Sequence, residues 1–205
     1  MLDILLQHTD FVVINKPAGL SVHRDQAERG LTETLAHQLG LPQVWLVHRL
    51  DKPTSGVLLL ALNAQAASEL AQAFANREAA KTYLALSDRK PAKKQGWIKG
   101  DMVRSRQSAW KLTRSRENPA QTRFTSQSAG TGRRLFVLQP LTGKTHQLRV
   151  AMKSIGSPII GDTLYGGAPA ERLYLHAWRL AFPFRGEVYS IEAPPGDAWP
   201  LPADG

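Results

Sequence analysis

The sequence predicts an α+β fold, and three patterns support this prediction. Residues 11–15 and 56–62 are short apolar runs bounded by turn-forming residues, which is typical of buried strands. Residues 31–39 and 64–76 carry apolar side chains at helical spacing, and Asn63 is suited to cap the second of these helices. Short strand-like runs follow closely in the second half of the chain, which favours antiparallel ribbons.

The remaining elements follow from the same patterns. Further strands are predicted at 81–86, 109–113, 120–126, 135–140 and 187–193. A third helix is predicted over 145–155, closed by Gly156. We interpret the Lys-, Arg- and Gly-rich residues 88–106 as an irregular, mobile excursion, residues 23–29 as a loop, and residues 194–205 as a tail. The chain contains no internal repeat and no long linker, so a single domain over 1–205 is expected.

Composition excludes several classes of protein. The 205 residues include no cysteine, which excludes disulfides and thiol chemistry and is typical of a reducing cytoplasm. The six histidines lack metal-ligand spacing, so no metal site is expected. No apolar run approaches about 18 residues and no signal peptide is present, so no membrane association is expected.

The positive charge is concentrated in one segment. Residues 77–134 hold 15 Lys/Arg and 4 Asp/Glu, a net charge of +11, while the rest of the chain carries −2. Such a segment attracts the phosphates of a nucleic acid, although a solvated basic face is the alternative.

Residues 48–55 form a polar loop attached directly to the predicted strand at 56–62. Asp51 is the only carboxylate in this loop, and it lies between Arg49 and Lys52. Neighbouring cations favour the ionised carboxylate, which is the form that a nucleophile or a general base needs. The alternative is an Asp that only forms a turn with its own backbone.

Several motifs resemble those of one enzyme family in the same order. Residues 48–61, H-R-L-D-K-P-T-S-G-V-L-L-L-A, resemble the H-R-L-D-x-x-T-S-G signature of RluA-type pseudouridine synthases. Further similarities are N-K-P-A-G-L at 15–20, K-T-Y-L-A at 81–85, G-K-T-H-Q-L-R-V at 143–150, Asp162 with Tyr165-Gly166, and L-Y-L-H-A-W-R-L-A-F at 173–182. The resemblance therefore covers most of the chain.

The resemblance implies a fold and a set of site residues. The implied fold is a mixed, largely antiparallel sheet with flanking helices and a central catalytic cleft. Asp51 is the implied catalytic residue, Tyr83 stacks on the target base, and Arg149 pairs with Asp51. By the same resemblance, Arg49 fills the place that the extruded base leaves. The implied substrate-binding residues are His48, Arg49, Thr54, Lys81, His146 and Gln147.

The implied reaction converts uridine in ribosomal RNA or tRNA to pseudouridine. This isomerisation needs no redox change and no group donor, so no cofactor is expected. We also expect a cytoplasmic monomer without an additional N-terminal S4 domain, so that RNA affinity resides in the basic segment. Ala151 and Ser157 stand where the family often has His, which puts the RNA target rather than the reaction in doubt.

Two alternatives remain open at this point. The first is a non-catalytic RNA-binding or ribosome-assembly factor on the same fold, for which Asp51 would be dispensable. The second is a hydrolase that uses Asp51 with His48 or Ser55, although Ser55 does not lie in a G-x-S-x-G elbow.

Overall fold

A computed structural model describes residues 1–22, 30–197 and 199–200. The predicted loop at 23–29 and part of the predicted tail lie outside the described residues. In chain order the elements are β1 (Asp3–Gln7), β2 (Phe11–Lys16), α1 (Leu31–Leu39), β3 (Trp45–Leu46), β4 (Ser55–Ala61), α2 (Ala64–Ala75), β5 (Ala80–Ser87), β6 (Gly96–Gly100), β7 (Met102–Arg104), β8 (Trp110–Leu112), β9 (Ala120–Ser128), β10 (Arg134–Pro140), α3 (Gln147–Ser154), a 3-10 helix (Thr163–Tyr165), β11 (Leu175–Phe184) and β12 (Glu187–Glu192).

The chain divides into two compact units. The first unit consists of Met1–Lys81 and His176–Pro195, and the second consists of Thr82–Leu175 with the segment that follows Pro195. The prediction of a single catalytic domain over 1–205 stays a prediction.

β4 is the central strand of the first unit, and all its residues are buried. All six residues of β2 pair antiparallel with one edge of β4, from Phe11 opposite Ala61 to Lys16 opposite Gly56. The other edge pairs in parallel with β11 at Ser55 and Gly56 and antiparallel with β3 at the far end. β1 extends this sheet beyond β2, and β12 extends it beyond β11. The buried position of β4 explains its continuous apolar sequence, because both of its faces are covered.

The helix α2 follows β4 and packs against it. The Asn63 side chain accepts the Ala66 N–H at 2.9 Å, so the predicted N-cap is confirmed.

The second unit contains an antiparallel sheet in the order β5, β10, β9, β6. One face of this sheet packs against α3 in a buried cluster that includes Ala85, Phe124, Phe136, Leu138, Leu148, Ala151 and Met152. β7 and β8 form a separate antiparallel hairpin. The α+β class and the mixed, largely antiparallel strand arrangement are therefore confirmed, whereas the central cleft stays a prediction.

The interpretation of residues 88–106 as an irregular excursion is wrong, because this stretch contains β6 and β7. In β6, Ile98 is buried and its neighbours Trp97 and Lys99 are exposed. This alternation of buried and exposed residues is too short to predict a strand in a stretch that contains so many Lys and Arg residues. Gly100 ends β6 where a Cβ atom would lie 2.3 Å from the Thr113 carbonyl oxygen. The glycines of this stretch thus bound a strand and allow a close backbone approach.

The third predicted helix is confirmed with a later start. α3 begins at Gln147 because His146 has a φ of +57°, which is incompatible with a right-handed helix. His146 therefore stands at the first turn of the helix that carries Arg149.

Candidate active site

Residues 48–55, which we call the Asp51 loop, lead directly into the buried strand β4. The Asp51 carbonyl oxygen accepts the Thr54 N–H at 2.9 Å, which closes a tight turn that contains Pro53. Asp51 itself is half-buried, whereas its neighbours Arg49 and Lys52 are exposed and Thr54 is buried. The turn therefore carries one carboxylate at the start of a buried strand, between two exposed cations in the sequence.

Lys16, at the end of β2, is completely buried and holds the backbone of the Asp51 loop. Its ammonium donates to the carbonyl oxygens of Pro17 at 2.9 Å, Lys52 at 3.0 Å and Thr54 at 2.7 Å. A buried cation is costly unless it is hydrogen-bonded, and three acceptors match the three protons of an ammonium group. The N-K-P-A-G segment thus stabilises the turn immediately after Asp51.

A second buried contact joins the end of the loop to β11. The Ser55 hydroxyl lies 2.8 Å from His176 Nδ1, and His176 Nε2 lies 2.8 Å from the Ala193 carbonyl oxygen. Because a carbonyl can only accept, Nε2 carries the imidazole proton and Nδ1 accepts the Ser55 hydroxyl. At the next position, Gly56, a Cβ atom would lie 2.1 Å from the Ala177 carbonyl oxygen. The T-S-G and L-H-A motifs are therefore the two sides of one close strand pairing.

His48 holds the other end of the loop. Its Nε2 accepts the Leu59 N–H at 3.0 Å, and its ring stacks on Phe74 with centroids 4.4 Å apart. Burial and, to a smaller extent, the positive charge of Lys81 lower the pKa of the His48 imidazole from 6.5 to about 3. His48 is therefore neutral at neutral pH and fixes the loop to β4 and α2, while its predicted contact with substrate stays a prediction.

β5 carries two further predicted site residues. Lys81 is half-buried, and desolvation lowers the pKa of its ammonium. Tyr83 lies opposite Leu138 of β10 and is a half-buried residue packed against the cluster under α3. The strand therefore presents a tyrosine supported by the core of the second unit.

Arg149 is held by a buried carboxylate in the second unit. Its Nε donates to Asp162 Oδ2 at 2.9 Å and its terminal nitrogen donates to Oδ1 at 2.8 Å. The Asp162 side chain is fully buried and that of Arg149 is 11% exposed. Such a two-point contact fixes the plane of the guanidinium. The pairing of Arg149 with Asp51 that the resemblance implies stays a prediction.

His146 contacts a buried tyrosine near the same pair. Its Nδ1 lies 2.7 Å from the Tyr165 hydroxyl, and the guanidinium carbon of Arg149 lies 5.1 Å from the centre of the Tyr165 ring. Two predicted site residues, His146 and Arg149, thus share one buried neighbour.

Gln147 supports the turn before α3 through both ends of its amide. Its Oε1 accepts from the Thr142 hydroxyl at 2.7 Å and the Lys144 N–H at 3.0 Å. Its Nε2 donates to the Gln121 carbonyl oxygen at 3.1 Å and the Thr122 hydroxyl at 3.0 Å. All four hydrogen-bonding positions of the buried amide are occupied within the fold, so the side chain supports this turn, and its predicted contact with substrate stays a prediction.

The first unit holds five of the predicted site residues, and the second holds the other four. Those in the first unit are His48, Arg49, Asp51, Thr54 and Lys81, and those in the second are Tyr83, His146, Gln147 and Arg149.

The family motifs include the positions of Lys16, Asp162, Tyr165 and His176, yet the motifs alone did not reveal their roles. Each role depends on a partner far away in the sequence, which a local pattern does not identify.

The hydrolase alternative conflicts with these contacts. Ser55 and its contact His176 are both buried, and the Nε2 lone pair of His48 accepts a backbone N–H, so neither Ser55 nor His48 is placed to act on a substrate with Asp51. Within residues 1–22, 30–197 and 199–200, no group of three or more His, Cys, Asp or Glu side chains could hold a metal ion. In the same ranges, no helix is long and apolar enough to cross a membrane.

Comparison with known proteins identifies the family. A family profile described as RNA pseudouridylate synthase matches residues 10–154. The chain is 55% identical to an uncharacterized RNA pseudouridine synthase of Haemophilus influenzae, over 98% of this chain and 92% of that protein. It is 35% identical to the tRNA pseudouridine synthase C of Vibrio cholerae, over 97% of this chain and 93% of that protein. It is also 35% identical to the dual-specificity synthase RluA of Escherichia coli, over 93% and 92%.

A solved structure shows the same fold. The structure of human RNA pseudouridylate synthase domain containing 1 matches with a TM-score of 0.80 and 29% identity, over 95% of this chain and 83% of that chain. These findings confirm the predicted resemblance, fold and reaction. The chain belongs to the RNA pseudouridylate synthase family, as a member of the RluA type, and is an enzyme that isomerises uridine in RNA to pseudouridine.

Proposed function

We propose that Asp51 is the catalytic residue of this isomerisation. The observation that carries the proposal is the support of its loop, because buried contacts fix the backbone on both sides of this carboxylate. Lys16 binds the carbonyl oxygens of Lys52 and Thr54, while His48 fixes the start of the loop to β4. A carboxylate held in one geometry is suited to attack the sugar or the base, or to remove a proton.

Tyr83 and Arg149 are the proposed partners of Asp51. Breaking the bond between carbon and nitrogen detaches the base, which must be held while it turns and is rejoined through carbon. Stacking on the Tyr83 ring supplies about 1–3 kcal/mol for holding a base. The fixed guanidinium of Arg149 supplies positive charge that orients and stabilises the Asp51 carboxylate.

The six proposed substrate-binding residues divide into two groups. Arg49, Lys81 and His146 are proposed to contact the RNA directly, and the exposure of Arg49 beside Asp51 supports its entry into the place left by the extruded base. An indirect role is proposed for Thr54, His48 and Gln147. Thr54 is buried, and its backbone N–H and carbonyl form part of the turn after Asp51. The side chains of His48 and Gln147 bind backbone groups.

We propose that the basic hairpin, residues 102–112, supplies affinity for the RNA backbone. Arg104, Arg106 and Lys111 are exposed on it, and the Arg104 guanidinium lies 5.1 Å from the centre of the Trp110 ring. Exposed cations of this kind bind phosphates with little sequence preference and lose affinity as salt rises. The hairpin therefore fits the role that the net charge of residues 77–134 predicts.

The substrate is proposed to be a structured tRNA or ribosomal RNA, acted on by a cytoplasmic monomer with one catalytic domain. The absence of cysteine supports a reducing compartment. The relatives named tRNA pseudouridine synthase C make tRNA the first pool to test.

Release of tritium from RNA labelled at carbon five of uridine tests the role of Asp51, since making pseudouridine expels that hydrogen. The parent enzyme should release tritium from tRNA or ribosomal RNA, and Asp51→Asn should lower the rate by about 10³-fold or more. The matched control is Asp88→Asn, which removes one exposed carboxylate from the second unit and should leave the rate within about twofold.

The melting temperature and RNA affinity of Asp51→Asn should match those of the parent. A variant that folds, binds RNA and still releases tritium would show that another group is catalytic. If the parent binds RNA without releasing tritium from either pool, the proposal that the target uridine lies in tRNA or ribosomal RNA is wrong.

A further inference from the structure

Tyr165 is a buried side chain at the centre of several contacts in the second unit. It is 2% exposed and lies at the end of the 3-10 helix that follows Asp162. Its neighbours include His146 and Arg149, which are the two side chains near α3 that we propose to act on the substrate. Its third neighbour is Trp110, in β8 of the basic hairpin, whose backbone N–H donates to the Tyr165 hydroxyl.

The Tyr165 hydroxyl joins the hairpin to His146. It accepts the backbone N–H of Trp110 at 3.0 Å and lies 2.7 Å from His146 Nδ1. After accepting the Trp110 N–H, the hydroxyl keeps its own proton and a second lone pair. It can donate to Nδ1 of an imidazole protonated on Nε2, or accept from one protonated on Nδ1. In either direction the contact holds the orientation of the imidazole.

The ring of Tyr165 supports Arg149 as well as His146. The Arg149 guanidinium carbon lies 5.1 Å from the ring centre, and the His146 ring meets the same ring edge-on with centroids 5.6 Å apart. Asp162 fixes the guanidinium plane through two hydrogen bonds. The ring therefore limits how far Arg149 can move while Asp162 holds it.

The backbone at His146 shows that this arrangement is maintained at a cost. Its φ of +57° is unfavourable for a residue with a Cβ atom and persists only where surrounding contacts hold it. The hydrogen bond to Tyr165 is one such contact.

We infer that Tyr165 is a positioning residue for pseudouridine formation, whose hydroxyl aligns His146 and whose ring supports Arg149 against the basic hairpin. The inference rests on the proposed function, in which His146 and Arg149 act on the substrate. It adds that the hairpin backbone, through the Trp110 N–H, helps to set the geometry of these two side chains.

A double-mutant cycle in the single-turnover rate of pseudouridine formation tests this inference. Tyr165→Phe keeps the ring and removes the hydroxyl, and it should lower the rate by about 10- to 100-fold, as for other residues that orient an active group. RNA affinity should stay within about twofold of the parent. In the His146→Ala background, Tyr165→Phe should cause almost no further loss, because the hydroxyl acts through His146.

The matched control is Tyr189→Phe. This tyrosine hydroxyl also lies near a histidine nitrogen, His8 Nε2 at 3.4 Å, but in the first unit. Its removal should leave the rate within about twofold. Additive losses for Tyr165→Phe and His146→Ala, or a loss of RNA affinity with an unchanged rate, would overturn the inference.

The tautomer of His146, read from its imidazole nitrogens by NMR, provides a test that needs no turnover. The parent should show one predominant tautomer, because the contact with the Tyr165 hydroxyl favours one protonated nitrogen, and Tyr165→Phe should change the tautomer population. An unchanged tautomer in a folded Tyr165→Phe variant would overturn the inference even if the parent proved inactive. Loss of activity in Asp51→Asn alone tests the proposed function separately.

Discussion

The Asp51 loop and the basic hairpin are supported in opposite ways. Buried polar contacts hold the loop, including those made by the fully buried Lys16 and by the Ser55–His176 pair. The hairpin consists of two three-residue strands with exposed cations, and its turn has positive φ at Gln107 and Ser108. The difference matches the roles proposed for the two regions, since catalysis requires fixed geometry whereas attraction to RNA depends mainly on the sign and number of charges.

The largest expected effect is a loss of folding stability when Gly56 gains a side chain. In Gly56→Ala the Cβ atom would lie 2.1 Å from the Ala177 carbonyl oxygen, at a φ of +122°. Steric strain and the unfavourable φ should together lower the free energy of unfolding by about 4 kcal/mol or more, measured by urea denaturation.

Gly130→Ala is the matched control, because Gly130 also has a positive φ, of +104°, but has no atom within 4 Å of the added carbon among the described residues. This control should cost only about 1–3 kcal/mol. Equal losses of unfolding free energy in the two variants would mean that the close approach of β4 to β11 at Gly56 adds no steric cost to the substitution.

An intermediate effect is expected from His48 as a function of pH. The pKa of His48 is lowered from 6.5 to about 3 in the folded protein, so the unfolded chain binds an additional proton between these values. The associated stability is complete above pH 6.5 and is lost as the pH falls towards 3, with a slope of about 1.4 kcal/mol per pH unit.

The variant His48→Gln keeps a hydrogen-bond acceptor without a group that titrates in this range. Unfolding free energies measured between pH 6.5 and 5 should show a smaller pH slope for the variant than for the parent. Identical slopes would contradict the assignment of His48 as a neutral support of the loop.

The smallest effect on stability is expected in the hairpin. Replacing Arg104, Arg106 and Lys111 by Gln should change the free energy of unfolding by at most about 0.5 kcal/mol, since these side chains are exposed. RNA affinity should fall, and the slope of log affinity against log salt should decrease by about 0.7–0.9 for each phosphate that the variant no longer neutralises.

The control is Arg179→Gln, which removes one cation from β11, outside the hairpin. It should leave the slope of log RNA affinity against log salt nearly unchanged. A salt slope unaffected by the triple replacement would place the RNA-binding surface elsewhere on the protein.

Local features could be predicted from the sequence, and distant contacts could not. α1 matches the predicted range 31–39, and the Asn63 cap is confirmed, because both depend on neighbouring residues. The late start of α3 depends on the conformation of His146, and β6 was missed because its alternation covers only three residues between glycines.

The same distinction applies to the candidate site. The motif resemblance selected Asp51 and Arg149, but the carbonyl partners of Lys16 on the loop lie 36 and 38 residues away in the sequence. Ser55 and His176 are separated by 121 residues. Hydrogen bonds over such separations leave no periodic signal, so the structure was needed to assign these side chains their supporting roles.

The buried ammonium of Lys16 also restricts which cation can stand at this position. Its three donor hydrogens radiate from one nitrogen atom towards three carbonyl oxygens that surround it. Arginine spreads five donors over a wide plane and cannot converge them on such a small enclosure. The two basic amino acids are therefore not interchangeable here, and a substitution that conserves charge would still displace the backbone next to Asp51.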